Sequence, residues 1–230
     1  MIMPKILLFD IDDTLFPSTE FAEQARRNAI RAMIGMGVAE SEERLYQLLN
    51  QIIKEKGSNY AGHFDELCKM LEIKRPARFV AAAVAAYHDT KTSIQPFPGV
   101  PRTLLSLRDS GYKLYVATNG EPTKQWDKLI RLRIALYFED VFVSGELGEE
   151  KGPSFFKKIL KALDTRPRDC VMIGDREEAD IASAKAVGMH TIKMKAGKYA
   201  EVPTSADASI SDFSRIMAAL ETLKKDSGAE

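Results

Sequence analysis

Apolar residues follow two different periods along this chain, and the change of period divides it into segments. A short apolar run at residues 4–9 ends in acid, which predicts a buried parallel strand with a carboxylate at its C-terminal edge. Over residues 18–87 the apolar positions instead recur every three or four residues, as in helices that pack through one face. This block shows no convincing strand pattern and predicts a helical unit, with Ser18 or Thr19 as the N-cap of its first helix.

Beyond a Pro- and Gly-rich segment at residues 96–101, helical and strand patterns alternate. The predicted strands are 112–118, 141–144, 170–173, 190–194 and 208–210. The predicted helices are 104–108, 122–132, 153–163, 180–187 and 212–223. Such alternation predicts an α/β fold, a doubly wound parallel sheet with helices on both faces. The helical block is then an insertion, so we predict an α/β core at residues 1–16 and 97–230 and a helical domain at residues 17–96.

Charge, apolar run length and cysteine content restrict the classes of function that this protein can have. The 230 residues carry 33 Lys+Arg and 33 Asp+Glu, a net charge of zero that predicts neither a nucleic acid nor an anionic membrane as partner. The longest apolar run, residues 79–87, is far shorter than the roughly 20 residues of a membrane span. Cys68 and Cys170 exclude a disulfide scaffold and favour the reducing cytoplasm. The polar tail after Lys224 is expected to fray, and the sequence leaves the oligomeric state open.

Polar side chains collect at the carboxyl ends of the predicted strands, where a doubly wound sheet binds its ligands. These candidate site residues are Asp10, Asp12, Asp13, Thr14, Thr118, Asn119, Lys151, Asp175 and Asp180. Several carboxylates at one site repel each other unless a cation neutralises them, and all-oxygen ligation together with phosphate suits Mg²⁺. Lys151, Thr118 and backbone amides could hold the phosphate oxygens. A carboxylate placed beside Mg²⁺ and an oriented phosphate can attack phosphorus.

Four segments in this order resemble the motifs of the haloacid dehalogenase superfamily, whose members are mostly phosphohydrolases. They are FDIDDTL at residues 9–15, ATNG at 117–120, Lys151, and GDREEADIASAKAVGM at 174–189. The spacing from Thr118 to Gln125 and Lys128 also resembles the subfamily with an all-helical cap inserted after the first motif. The resemblance covers essentially the whole chain and implies a Rossmann-like core with a helical cap that closes over the site. Asp13 and Pro153 depart from it, because glycine is common at the first position and the proline usually follows the lysine directly.

The resemblance implies the catalytic roles. Asp10 would be the nucleophile that attacks phosphorus and forms an aspartyl-phosphate. Asp12 would protonate the leaving alkoxide and then activate water as a base. Lys151 would offset the charge of Asp10 and of the phosphoryl group. Asp13 is instead expected to serve as an N-cap or turn residue.

The same resemblance implies the binding roles. Mg²⁺ would be held by Asp10, by the backbone carbonyl of Asp12 and by Asp175. Phosphate would be bound by Thr118 and Asn119 together with the lysine of the third motif. Asp180 would orient that lysine or a metal-bound water.

Four functions compete on this reading. The first is a Mg²⁺-dependent phosphatase that acts on a small phosphorylated metabolite. The second is a phosphomutase or other phosphotransferase, which uses the same core and differs in what the cap admits. The third, a 2-haloacid dehalogenase, is disfavoured by Asp12, since cleavage of a carbon–halogen bond needs no leaving-group acid. The fourth, a catalytically silent phosphate- or metal-binding regulator, is disfavoured by the intact acids and lysine.

Overall fold

The block between the first and second strands is helical in the computed structural model, which describes residues 5–58 and 60–226. Its helices are α1 (Ser18–Gly35), α2 (Glu42–Lys56), α3 (His63–Met70) and α4 (Ala77–Lys91). Their apolar stripes form one core with buried residues that include Met33, Leu49, Leu67 and Phe79. The internal contacts of the chain define this unit as Glu20–Ile94, and they place the residues up to Thr19 and from Gln95 onward in a second unit.

The second unit is built on a parallel sheet. Its described strands are β1 (Ile6–Phe9), β2 (Lys113–Thr118), β3 (Asp140–Val143), β4 (Cys170–Gly174), β5 (His190–Met194) and β6 (Ala208–Ile210). They lie in the order β3-β2-β1-β4-β5-β6, and every neighbouring pair is parallel. The chain therefore winds outward in both directions from β1, which confirms the predicted doubly wound α/β fold.

Helices cover both faces of this sheet. They are α5 (Val100–Asp109), α6 (Pro122–Arg131), α7 (Ser144–Leu147), α8 (Pro153–Ala162), α9 (Ser183–Lys185) and α10 (Ile216–Asp226). On one face, Leu8 and Met172 pack with Phe156 of α8. On the other face, Phe9 packs against Phe213, with ring centroids 5.9 Å apart. Successive strand residues thus enter opposite cores, and for this reason the strands are apolar without alternation.

Several element boundaries differ from the prediction. Helix α5 begins at Val100 rather than at residue 104, because Gly99 takes a φ of 82° and Pro101 fits the first turn of a helix. Helix α7 follows β3 directly and was not predicted. The predicted strand at residues 4–9 is observed as Ile6–Phe9, and its first residue lies outside the described part of the chain. Fraying of the C-terminal tail stays a prediction, since residues 227–230 also lie outside it.

The segment Glu177–Ala182, predicted to be partly α-helical, is a π-helical turn. Here the amide of Ile181 reaches back five residues to the carbonyl oxygen of Arg176, at 3.3 Å. The hydroxyl of Ser183 spans the same separation and donates to the carbonyl oxygen of Glu178 at 2.6 Å. Turns of this kind occur frequently at functional sites. Among the described helices none has the length and apolarity needed to cross a bilayer.

Candidate active site

The candidate site is formed where the three central strands end. Strand β1 pairs with β2 on one side and with β4 on the other, with Phe9 in register with both Val116 and Ile173. The amide of Asp10 continues this ladder by donating to the carbonyl oxygen of Ile173 at 2.9 Å. Since parallel strands end at one edge, this pairing places the residues that follow β1 and β4 beside the end of β2.

Lys151 joins two acids that are far apart in the sequence. Its Nζ donates to Asp10 Oδ1 and to Asp180 Oδ1, each at 2.5 Å. The lysine side chain is 2% exposed, although its local sequence, GEEKG, is typical of a solvated loop. Its backbone amide donates to Asn119 Oδ1 at 2.7 Å, so the residue after β2 fixes the loop that carries the lysine. The later position of Pro153, which opens α8, is therefore compatible with an inward-facing Lys151.

Burial of the lysine is compensated by its two carboxylate partners. Burial by itself would lower the pKa of Lys151. The charges of Asp10 and Asp180, together with their hydrogen bonds to the lysine, raise the pKa by more, so the net shift is above the ordinary value. The lysine is thus a cation at neutral pH. Removing the lysine would leave two buried carboxylates without their shared cation, which is strongly destabilising.

The π-helical turn positions Asp180. This side chain is fully buried, and its Oδ2 accepts a hydrogen bond from the amide of Arg176 at 3.0 Å. Burial raises the pKa of Asp180, with Lys151 acting in the opposite direction. A Cβ on Gly174 would lie 2.5 Å from the carboxyl carbon of Asp180. The glycine before Asp175 is therefore needed to admit the carboxylate that holds the lysine.

Asp175 carries an acceptor that the described residues leave unsatisfied. Its Oδ1 is buried and has no hydrogen-bond partner among them. Burial, followed by the charges of Asp10 and Asp180, raises the pKa of Asp175 to about 8. One oxygen from each of these three carboxylates lies within 4.8 Å of the others. Three acids against one lysine leave negative charge unbalanced, so this group could hold a hard divalent cation.

Thr118 and the turn after it lie at the same edge of the sheet. Thr118 is the last residue of β2 and is 1% exposed. The amide of Gly120 donates to Ser144 Oγ at 2.9 Å, and the carbonyl oxygen of Gly120 accepts from the amide of Gly145 at 3.1 Å. Gly120 has a φ of 133°, and a Cβ there would collide with the amide nitrogen of the Gln125 side chain. The turn predicted to bind phosphate is thus held rigidly by its neighbours.

Asp12 has a different environment from Asp10. Its side chain is 41% exposed, and its two carboxylate oxygens accept hydrogen bonds from Lys128 Nζ at 2.8 and 2.6 Å. Lys128 in turn donates to Gln125 Oε1 at 3.2 Å. The sequence suggested Gln125 and Lys128 only as part of a family spacing and missed this contact with Asp12. Their separation by three residues after the second motif, which puts them on one helix face, was the available signal.

Asp13 and Thr14, which follow Asp12 in the chain, are both buried. Asp13 takes a φ of 51°, a region where glycine is the usual residue. Its carboxylate accepts hydrogen bonds from the amide of Thr19 at 2.9 Å and from the hydroxyl of Thr19 at 2.5 Å. Asp13 therefore caps the start of α1, and the prediction of Ser18 or Thr19 as the cap was wrong. Thr14 is fully buried, and its hydroxyl has no hydrogen-bond partner within the described chain.

Comparison with known proteins agrees with this geometry. The family model of haloacid dehalogenase-like hydrolases matches residues 4–188. A glyceraldehyde 3-phosphate phosphatase from Methanopyrus kandleri is 46% identical, with 92% of each chain covered. A protein of the same name from Pyrococcus furiosus is 41% identical, with 98% of this chain and 95% of that protein covered.

A solved structure shares the fold over the full length of both chains. It is a haloacid dehalogenase-like family hydrolase from Xanthomonas campestris, with a TM-score of 0.74, 21% identity and 100% of each chain covered. At 21% identity this similarity establishes the fold alone. The family assignment rests on the family model and on the curated relatives. This chain belongs to the haloacid dehalogenase-like hydrolases, as a member that hydrolyses phosphoric monoesters.

Proposed function

We propose that this protein is a Mg²⁺-dependent phosphatase that hydrolyses glyceraldehyde 3-phosphate through an aspartyl-phosphate on Asp10. The observation that carries the chemistry is the buried contact of Asp10 with Lys151, beside the unsatisfied oxygen of Asp175. The names of the relatives from Methanopyrus kandleri and Pyrococcus furiosus support the choice of substrate. The two cysteines are free and buried, which supports a cytoplasmic location.

The first half-reaction transfers the phosphoryl group to Asp10. A carboxylate oxygen of Asp10 forms a bond to phosphorus while the bond from phosphorus to the leaving oxygen breaks. Asp12 gives its proton to the leaving alkoxide, and the alcohol departs. Lys151, held at 2.5 Å from Asp10, places positive charge beside the attacking oxygen and the phosphoryl oxygens.

The second half-reaction releases phosphate. Asp12, now a carboxylate, takes a proton from water as the water oxygen attacks phosphorus. The bond between phosphorus and the Asp10 oxygen breaks, which restores the carboxylate and yields inorganic phosphate. Thr118 and the turn held by Asn119 and Gly120 would bind the phosphoryl oxygens through hydrogen bonds.

The acids at the sheet edge fit a magnesium ion. Asp10 and Asp175, together with the backbone carbonyl of Asp12, would hold it, and Asp180 remains committed to Lys151 and to the amide of Arg176. When bound, the ion supplies positive charge that neutralises the phosphoryl oxygens and helps to align the ester.

A panel of phosphate esters tests the substrate and the reaction type. With Mg²⁺, we expect the highest kcat/KM for glyceraldehyde 3-phosphate against glycerol 3-phosphate, phosphoglycolate and p-nitrophenyl phosphate. Inorganic phosphate should be released in a one-to-one ratio with ester consumed. Transfer of the phosphoryl group to a sugar without phosphate release would instead identify a phosphotransferase. Halide release from 2-chloropropionate would identify a dehalogenase.

The Asp12→Asn substitution tests the leaving-group acid. We expect kcat/KM for glyceraldehyde 3-phosphate to fall by about 10²–10⁴, the usual contribution of general acid–base catalysis. The loss should be smaller for p-nitrophenyl phosphate, because its leaving group needs less protonation. Steady-state kinetics with both esters measure this difference. A loss below tenfold with the alkyl ester would assign the acid role to another group.

Asp13→Asn is the matched control for Asp12→Asn. It neutralises the neighbouring carboxylate, which accepts hydrogen bonds from Thr19 and has only a minor charge effect on the pKa of Asp12. The asparagine side chain retains an acceptor for the amide of Thr19. This variant should therefore change the ratio of kcat/KM between the two esters far less than Asp12→Asn does.

A further inference from the structure

Within the part of the chain that the structure describes, Lys128 is the residue that donates side-chain hydrogen bonds to Asp12. Its ammonium group has three N–H donors, and it contacts three acceptors: both oxygens of Asp12, at 2.8 and 2.6 Å, and Gln125 Oε1, at 3.2 Å. The lysine side chain is 19% exposed. Lys124, one turn earlier on α6, is 58% exposed and lies 3.9 Å from Glu121. Lys128 is thus set apart from an ordinary surface lysine by its burial and by the number of its contacts.

Gln125 positions Lys128 by accepting a hydrogen bond from its ammonium group. This glutamine is 5% exposed, and its amide nitrogen occupies the space that a Cβ on Gly120 would need. Gly120 itself is fixed through its amide by Ser144. A chain of contacts therefore connects the turn after β2, which we propose to bind phosphate, to the carboxylate that we propose to protonate the leaving group.

This connection matters because Asp12 is half exposed. A carboxylate in that position can rotate, and a misplacement of about 1 Å in a catalytic group can cost a hundredfold in rate. Lys128 holds both oxygens and so fixes the plane of the carboxylate as well as its position. The phosphate-binding turn and the acid Asp12 are then positioned by one connected set of residues.

We propose that Lys128, held by Gln125, is a positioning residue that orients the Asp12 carboxylate toward the leaving-group oxygen. The inference rests on the proposed function, in which Asp12 is the acid and base of the phosphatase. In this role Lys128 acts through Asp12 rather than on the ester itself.

The test compares Lys128→Met with Lys128→Arg and with the control Lys124→Met. For Lys128→Met we expect kcat/KM for glyceraldehyde 3-phosphate to fall by about 10- to 100-fold. With p-nitrophenyl phosphate the loss should be under about threefold, because a misplaced acid matters little to a good leaving group. Lys128→Arg can still donate to both oxygens and should recover most of the activity. Lys124→Met should leave both values unchanged.

A double-mutant cycle separates action through Asp12 from contact with substrate. In the Asp12→Asn background, Lys128→Met should cause no further loss, since two residues that act as a unit are not additive. A full further loss in that background, or equal losses with both esters, would overturn the inference. Thermal unfolding of each variant identifies damage to the fold, and Lys128→Gln replaces Lys128→Met if that protein is destabilised.

The outcome also separates this inference from the proposed function. If Asp12→Asn affects both esters equally, the proposed acid is wrong. If Asp12→Asn shows the expected ester dependence and Lys128→Met does not, the proposed acid stands and the positioning role of Lys128 is wrong.

Discussion

The Asp10→Asn protein should be almost inactive, with turnover of p-nitrophenyl phosphate reduced by about 10⁴–10⁶, the scale found when a hydrolase loses its nucleophile. An amide is a poor nucleophile and cannot form the acyl phosphate. It also removes the negative charge that Lys151 contacts at 2.5 Å. Steady-state release of p-nitrophenol measures the loss. Mass spectrometry after acid quenching should find one phosphoryl group on the wild-type protein and none on the variant.

The control for this substitution is Asp109→Asn, at an exposed position at the end of α5. It makes the same chemical change away from the sheet edge and should keep full activity. Thermal unfolding of Asp10→Asn tells a lost nucleophile from a lost fold, because Lys151 would keep only Asp180 as an ionised partner. More than a tenth of the wild-type rate in a folded Asp10→Asn protein would exclude the covalent mechanism.

The positions of site residues that lie at the end of a strand could be predicted from the sequence. The apolar run before Asp10 and the strand before Asp175 predict where those carboxylates leave the sheet, and parallel pairing then brings them together. Thr118 follows the same logic on β2. These positions depend on local periodicity and on a general property of parallel sheets, both of which can be evaluated without coordinates.

The partners of side chains that meet across long stretches of sequence could not be identified in that way. The burial of Lys151 depends on Asp10 and Asp180, which are 141 and 29 residues away in the chain. The contact of Lys128 with Asp12 spans 116 residues. Local sequence contains no information on which acids lie opposite either lysine, and for Lys151 the segment GEEKG is by itself typical of a solvated loop.

The π-helical turn at Glu177–Ala182 was unpredictable for a related reason. Residue propensity does not distinguish an α turn from a π turn. The wider turn is stabilised by specific contacts, such as the hydrogen bond from Ser183 Oγ to the carbonyl oxygen of Glu178. The turn brings the carboxylate of Asp180 to Lys151 in the candidate site.

Removal of divalent metal should silence the enzyme. Three acids with one lysine leave excess negative charge at the site, and a phosphate ester would add to it. We expect activity to fall below detection in EDTA and to return when Mg²⁺ is added in excess. Full turnover in the chelator would exclude a metal at Asp10 and Asp175.

The same metal should stabilise the protein in a way that depends on pH. In the metal-free protein the pKa of Asp175 rises from its ordinary value of 3.8 to about 8. The folded state therefore favours the protonated acid, and the stability contributed by this group is present below pH 4 and is lost as the pH rises through about 8. Magnesium would bind the ionised form in competition with the proton, so its stabilising effect should grow over that interval.

Thermal unfolding measures this effect without reference to activity. At pH 8.5 and a Mg²⁺ concentration of about 100 Kd, binding contributes about 2.7 kcal/mol, which should raise Tm by about 5–10 °C. At pH 5 the shift should be clearly smaller, because Asp175 is largely protonated. Asp175→Asn should lose the shift at both pH values, since the amide supplies no charge for the ion. Equal shifts at the two pH values in the wild-type protein would mean that the ion binds elsewhere, where no carboxyl group titrates near neutral pH.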